Sequence, residues 1–299
     1  MTQWQERYGK NEQSSRVLNS TPRDDLGRVV ELKRVPQRLV VLGPGAVETI
    51  FALGMEAKLV GRDSASDYPA AAKSIAVSGD FQGPNLEKTV ALKPDLVIMV
   101  GETWGRDRVE TWQKQIGAPV ACLSATTLEG VAQGMQKIAQ WTGAEPAKFA
   151  NSLRQSSQSA PDAGATALFE IQRSPLWAAG NNTLVNDVMR ASGLRNAARV
   201  EGYKQLNMEN LLTQQPQFYV VSSNALKTPA DVQNKLVAER QRVLEVLRRA
   251  PGIKSLKCVR EGRVLVVPAD WALRPGPRLS LAIAALREQM RAFQMNANS

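Results

Sequence analysis

The stretch NLEKTVALKPDLVIMV (85–100) returns in altered form as NMENLLTQQPQFYVVS (207–222), 122 residues further along the chain. In both copies an Asn precedes a Glu by two residues, and a Pro follows that Glu by seven. One residue beyond each Pro an apolar run begins. Asn is a strong helix cap, because its side-chain oxygen accepts a first-turn N–H that has no partner inside the helix. Pro has no N–H to give and turns the residue before it away from helical angles, so it ends the helix. Each copy therefore reads as capped helix, stop and buried strand. A sentence of this kind written twice predicts two similar lobes.

The same grammar extends outward. RLVVL (38–42) followed by GPGAVETIFALG (43–54) reads as strand, loop and helix, with Val47, Ile50 and Phe51 at helical spacing and Gly54 closing the helix. KLVGR (58–62) is a second strand, followed by the loop SASDYP (64–69). Beyond LVIMV (96–100) come a helix at 109–117, the strand PVACLS (119–124) and a helix at 127–143. Continuous apolar strands alternating with helices predict an α/β lobe with a mainly parallel sheet. The segment EPAKFANSLRQSSQSA (145–160) is a capped, modestly amphipathic helix that trails into Ser and Gln, a natural boundary. The theme then restarts with TALFEI (166–171), a loop at 172–182, a helix at 183–193, a loop carrying Tyr203, the echo helix and FYVVSS (218–223). A basic helix, RVLVVPADW (263–271) and a terminal helix at 280–295 complete it. The expected organisation is a polar arm over 1–22, an N-terminal lobe over 23–143, a linking helix within 144–162 and a C-terminal lobe over 163–299.

Composition narrows the function. The 299 residues are 43% apolar and 22% charged, which suits a folded chain. The longest apolar runs are strand-sized, far below the roughly 18–20 residues of a membrane span. There is no histidine, so a His-centred triad, His-ligated zinc and His-ligated haem are all excluded. Cys122 and Cys258 lie far apart without CxxC spacing and are expected to be buried free thiols, with a disulfide between them as the alternative. Thirty-eight Lys and Arg against 28 Asp and Glu leave a net charge of +10, which admits nucleic acid, an anionic membrane or an acidic ligand. The best basic cluster, AERQRVLEVLRR (238–249), mixes signs on a solvated helix face and has no interleaved aromatics, so no nucleic acid is expected. No G-x-S-x-G elbow, P-loop or paired-acid motif is present, so no catalytic residue, metal or cofactor is expected. The alternative in another class is a two-lobed α/β enzyme such as a nucleotide-sugar transferase.

Glu87 and Glu209 sit in the first turns of the two echo helices. A carboxylate there gains about 0.3–1 kcal/mol from the helix dipole, which accounts for either one alone. The same residue kept at the same register in both lobes suits a partner with two equivalent basic sockets.

The series DLGRVVELKRVPQRLVVLGPGAVETIFALG, VGRDSASDYPAAA and FQGPNLEKTVALKPDLVIMV, with PADWALRPGPRLSLAIAAL near the end, resembles the cobalamin, siderophore and haem class of ABC-importer substrate-binding proteins. The resemblance covers about residues 24–293 and is stronger in the first lobe. It implies two lobes joined by a single linking helix, a ligand held between them, and delivery to a dimeric permease in the membrane by a monomeric carrier. It also implies that Glu87 and Glu209 dock onto arginines of that permease. Members of the class are exported, whereas MTQWQERYGKNEQSSRVLNS (1–20) is polar and carries no leader. The chain is therefore expected to be the mature form of a periplasmic protein or one held at the outer face of the cytoplasmic membrane.

In open α/β sheets ligands lie against the loops at strand carboxyl ends. Those loops carry Tyr68, Phe81, Trp104, Trp177, Tyr203 and Trp271, in a chain with 5% aromatics. Aromatic faces suit a large flat or greasy chelate. By the resemblance, Tyr68, Phe81, Tyr203 and Trp271 match corrinoid-contacting positions. Arg62, Arg106, Arg108, Arg173 and Arg274 share these loops, and guanidinium pairs bidentately with carboxylate or catecholate oxygens. The implied ligand is a metal chelate, a cobalamin or a ferric siderophore. Haem lacks a histidine to ligate its iron, although Tyr68 or Tyr203 could serve. The expected ligand set is Tyr68, Phe81, Trp104, Arg106, Trp177, Tyr203, Trp271 and Arg274.

Overall fold

The apolar runs become the inner strands of two sheets. The computed structural model describes residues 22–101, 104–158 and 164–297; of the polar arm expected over 1–22, all but the last residue lies outside them. The chain divides into two compact units, Met1–Arg154 with Pro275–Pro277, and Gln155–Arg274 with Arg278–Ser299.

In the first unit, β1 (Leu39–Leu42) is wholly buried and pairs in parallel with β2 (Leu59–Asp63) on one side and β5 (Leu96–Val100) on the other. Strand β6 (Val120–Leu123) extends the parallel set beyond β5. β3 (Ala76–Asp80) continues it beyond β2, and the short β4 (Gly83–Pro84) closes that edge antiparallel. The spatial order is β4-β3-β2-β1-β5-β6. Helices α1 (Pro44–Ala52), α2 (Leu86–Ala91), α3 (Arg106–Ile116) and α4 (Leu128–Thr142) connect these strands. β3 and β4 escape sequence reading because their residues are small or exposed and carry no apolar period.

The second unit repeats the plan. β7 (Ala165–Gln172) pairs in parallel with β9 (Leu194–Asn196) and with β11 (Phe218–Ser223), and β12 (Val264–Pro268) lies beyond β11. Two short antiparallel strands, β8 (Trp177–Ala179) and β10 (Tyr203–Gln205), add an edge absent from the prediction. Trp177 and Tyr203, expected in loops, therefore lie in strands. The helices are α5 (Lys148–Gln158), α6 (Leu184–Ala191), α7 (Met208–Gln214), α8 (Pro229–Arg249), α9 (Lys257–Arg260), α10 (Ala269–Ala272) and α11 (Leu279–Ala297). The division between the units falls inside α5, at Arg154–Gln155.

The echo is a structural repeat. Asn85 Oδ1 accepts from the Lys88 N–H at 3.0 Å, and Asn207 Oδ1 from the Glu209 N–H at 2.8 Å. Helices α2 and α7 both stop at a non-glycine residue with positive φ, Lys93 at 47° and Gln215 at 42°, each directly before its proline. The strands that follow, β5 and β11, occupy equivalent inner positions in their sheets.

The exposed edge of β6 is covered by residues 24–28. Asp25 N donates to the Cys122 carbonyl at 2.9 Å, and Ser124 N to Asp25 Oδ2 at 2.7 Å. Buried Asp24 accepts from the backbone N–H groups of Leu26, Arg28 and Cys122 and from the Arg28 guanidinium at 2.6 and 3.0 Å. Replacing Asp24 by Ala strands these donors and the half-buried Arg28 charge, at a cost of about 3–5 kcal/mol; urea denaturation followed by circular dichroism should show the corresponding fall in midpoint.

Cys122 and Cys258 are free and buried. Burial pushes the Cys122 thiol up to about 12 and the Cys258 thiol up to about 11, from an ordinary 9.0. Only thiolate attacks a disulfide reagent, so at pH 8 the folded protein should leave both thiols unreacted while the urea-unfolded chain titrates two. The folded state holds these protons more tightly than the unfolded chain. The associated stability is present below pH 9 and declines as pH rises through and beyond it.

Candidate functional site

In the first unit the most exposed candidate lies on the turn between β3 and β4. Phe81 stands at its tip, 85% exposed. Beneath it, Gly83 at φ +125° lies so close to Trp112 that an added Cβ would come within 2.6 Å of the ring. Arg108 lies over the Trp112 ring at 4.7 Å and donates to the Gln82 carbonyl at 3.3 Å. The face of α3 thus props the turn and leaves Phe81 pointing away from the core. Half-buried Tyr68 lies in the segment after β2.

Two of the expected first-unit residues are elsewhere. Trp104 is 7% exposed and packs edge-to-face on Trp112, with ring centroids 6.1 Å apart, inside the cluster formed with Val97, Met99 and Val109. It is a core residue, since its ring completes the layer under the turn. Arg106, at the head of α3, donates to the Leu26 carbonyl at 2.6 Å and so ties down the segment that covers β6. Arg62 is buried in β2, its guanidinium donating to the carbonyls of Ala72, Asp63 and Lys73.

In the second unit Tyr203 is 46% exposed on the edge strand β10. It stands opposite Ala179, and Gln205 stands opposite Trp177. Alternation along each strand then places Tyr203 and half-buried Trp177 on one face as diagonal neighbours, a separation that aromatic side chains span. Trp271 is 3% exposed and donates its indole N–H to the Lys227 carbonyl at 3.2 Å, so it too is interior rather than lining. Arg274 pairs with Asp270 at 3.1 Å, and Lys227 and the buried Arg278 approach the same carboxylate at 3.8 and 4.0 Å. Asp270 is thus approached by three cations. Arg173 is held by Glu170 at 2.7 Å, and Glu170 also accepts from the Tyr219 hydroxyl at 2.7 Å.

Glu87 and Glu209 are both exposed, in the first turns of α2 and α7. The echo also runs further than its capped helix. Six residues before Glu87 stands Phe81, and six before Glu209 stands Tyr203. Each unit therefore presents an exposed aromatic and an exposed carboxylate at the same spacing, from an edge strand or its turn and the helix that follows. Reading FQGPNLE against YKQLNME would have found the pairing from sequence. Gly83 and Trp112, which support the Phe81 turn, carry no such signal.

The two units thus share one plan, a mainly parallel sheet with helices and an exposed aromatic at an antiparallel edge. A family model for periplasmic binding proteins matches residues 39–271, and the chain belongs to that family. A vitamin B12-binding protein of Pectobacterium carotovorum is 26% identical over 279 residues, covering 89% of this chain and 92% of the relative. An uncharacterised ABC transporter substrate-binding lipoprotein of Bacillus subtilis is 27% identical over 297 residues, covering 94% and 88%. Among solved structures, a periplasmic heme-binding protein from Pseudomonas aeruginosa aligns with a TM-score of 0.64 at 29% identity, over 84% of this chain and 91% of that one. All three are named as binding proteins, one of them as part of an ABC transporter. Among the described residues no helix is long and apolar enough to cross a membrane, and no acidic or cysteine cluster could hold a metal ion.

Gly83→Ala forces a Cβ toward Trp112 in a backbone conformation that L-residues rarely adopt. The expected loss is about 1–3 kcal/mol, read as a lower urea midpoint with an unchanged slope.

Proposed function

We propose that this chain is the substrate-binding component of an ABC importer, taking up a metal chelate of the cobalamin or ferric-siderophore kind and presenting it to a membrane permease. The observation that carries the reading is the matched pair of surface groups, Phe81 with Glu87 and Tyr203 with Glu209. The aromatics, with Tyr68 and Trp177, supply flat apolar area at low rotamer cost, and Arg274 supplies a cation for an acidic substituent. Haem is the second ligand to consider, because relatives of similar standing are heme-binding proteins. The carboxylates engage the permease, where two like subunits offer two like basic sockets. Family membership supports this reading over a nucleotide-sugar transferase.

The test is a tryptophan-fluorescence titration with cobalamin, a ferric catecholate, a ferric hydroxamate and haemin. One of them should quench saturably at about one ligand per chain. Phe81→Ala and Tyr203→Ala should each weaken that ligand about tenfold, equal to about 1.4 kcal/mol. Glu87→Ala combined with Glu209→Ala should leave affinity unchanged and abolish most uptake in cells carrying the cognate permease. No quenching by any of the four would overturn the ligand class, and undiminished uptake by the double variant would overturn the docking role.

A further inference from the structure

The second unit holds a second polar site, reaching from Gln205 on β10, beside the aromatic face, to Thr166 near the start of β7. Two adjoining cavities, about 250 and 160 Å³, lie between α7 and the segment that follows β9. Each far exceeds the roughly 30 Å³ occupied by one water in the liquid. Arg199 and Gln214 line both cavities, and Arg195 lines the smaller. Thr166, near the start of β7, closes the smaller one, which places it at the amino end of that strand, remote from the carboxyl-end loops.

The wall on the α7 side is one stripe of its helix: Asn207, Asn210, Leu211 and Gln214 follow the i, i+3, i+4, i+7 spacing of a single face. Glu209 falls on the other face of the same helix. No Asp or Glu lines either cavity, and among the described residues neither Arg195 nor Arg199 has an ion pair, in a unit whose other arginines are mostly held by carboxylates or carbonyls. Asn210, Gln205 and Gln214 add amide N–H donors. Exposed Arg199 and half-buried Gln214 are common to both cavities, exposed Arg195 belongs to the smaller, and Asn210 and Gln205 belong to the larger; guanidinium matches tetrahedral and carboxylate oxyanions through paired N–H bonds.

We propose that this pair of cavities is a binding site for a phosphate-class oxyanion, supplied either as free phosphate or as a phospholipid headgroup. Occupancy would brace the inner face of α7, the helix whose outer face carries Glu209. The site is independent of the chelate reading above and survives its failure.

The experiment has two arms at fixed ionic strength. Inorganic phosphate is titrated into the whole chain by calorimetry, and co-flotation is measured with vesicles of equal parts phosphatidylglycerol and phosphatidylcholine. The Arg195→Gln/Arg199→Gln variant is compared with Arg249→Gln/Lys254→Gln, which removes the same charge from exposed positions elsewhere. Gln214→Glu provides a second variant that places a carboxylate in both cavities. Saturable phosphate binding, weakened at least tenfold by the paired arginine variant and by Gln214→Glu but not by the charge-matched control, establishes the site with a free ion. The same pattern in flotation alone establishes a headgroup site. Absence of binding in both arms, or losses no greater than those of the control, would overturn the proposal, because the net charge of +10 by itself attracts anionic surfaces.

Discussion

Both inner strands of the repeat depend on a left-handed residue placed before a proline. Lys93 and Gln215 take φ values of 47° and 42°, a conformation that costs an ordinary side chain on the order of 1–3 kcal/mol. The cost is met by what comes next. Leu96, Val97, Ile98 and Met99 are completely buried in β5, and each such side chain contributes about 1.5–3 kcal/mol relative to exposure. Burial wins by several-fold. The reversal after a short helix is therefore sustained by the strand it launches, and the caps at Asn85 and Asn207 hold the other end of each helix at the matching distance.

That arrangement sets the helix starts and, with them, the candidate functional groups. Glu87 and Glu209 project from first turns because the cap residue lies two positions earlier. Phe81 and Tyr203 lie at the edge additions immediately before those caps. An isolated exposed aromatic needs no special cause. The case rests on a pair in register, and on support from below: Gly83, Trp112 and Arg108 hold the Phe81 turn on one unit, while antiparallel pairing with β8 holds Tyr203 on the other. Interior tryptophans act as scaffold: Trp104 and Trp112 pack together under the Phe81 turn, and buried Trp271 is tied to the Lys227 carbonyl.

The large basic surplus is distributed rather than gathered. Arg28, Arg62, Arg173, Arg242 and Arg287 are engaged with acids or carbonyls that fix local structure. On the long helix α8, Lys235 pairs with Asp231 and Arg242 with Glu239, as its mixed sequence suggests. Arg195 and Arg199 stand out against this background because both border cavities without a carboxylate.

Alternation of apolar runs with capped helical segments was enough, from sequence, to place the inner strands, the echo helices, the boundaries at Gly54, Gly117 and Gly143, and the α/β class. These features rest on local chemistry: a missing N–H at proline, an Asn oxygen at a helix start, a run of apolar residues long enough for one strand. The antiparallel edges β3–β4 and β8–β10 were illegible because short, exposed strands are defined by the neighbour they pair with and not by their own side chains. The same reason explains the site. From sequence, Phe81 and Trp104 are equally plausible surface aromatics, as are Tyr203 and Trp271. Tertiary packing decided between them, because only the approach of α3 to the β3–β4 turn, and of the Lys227 carbonyl to Trp271, determines which ring is enclosed and which is left to solvent.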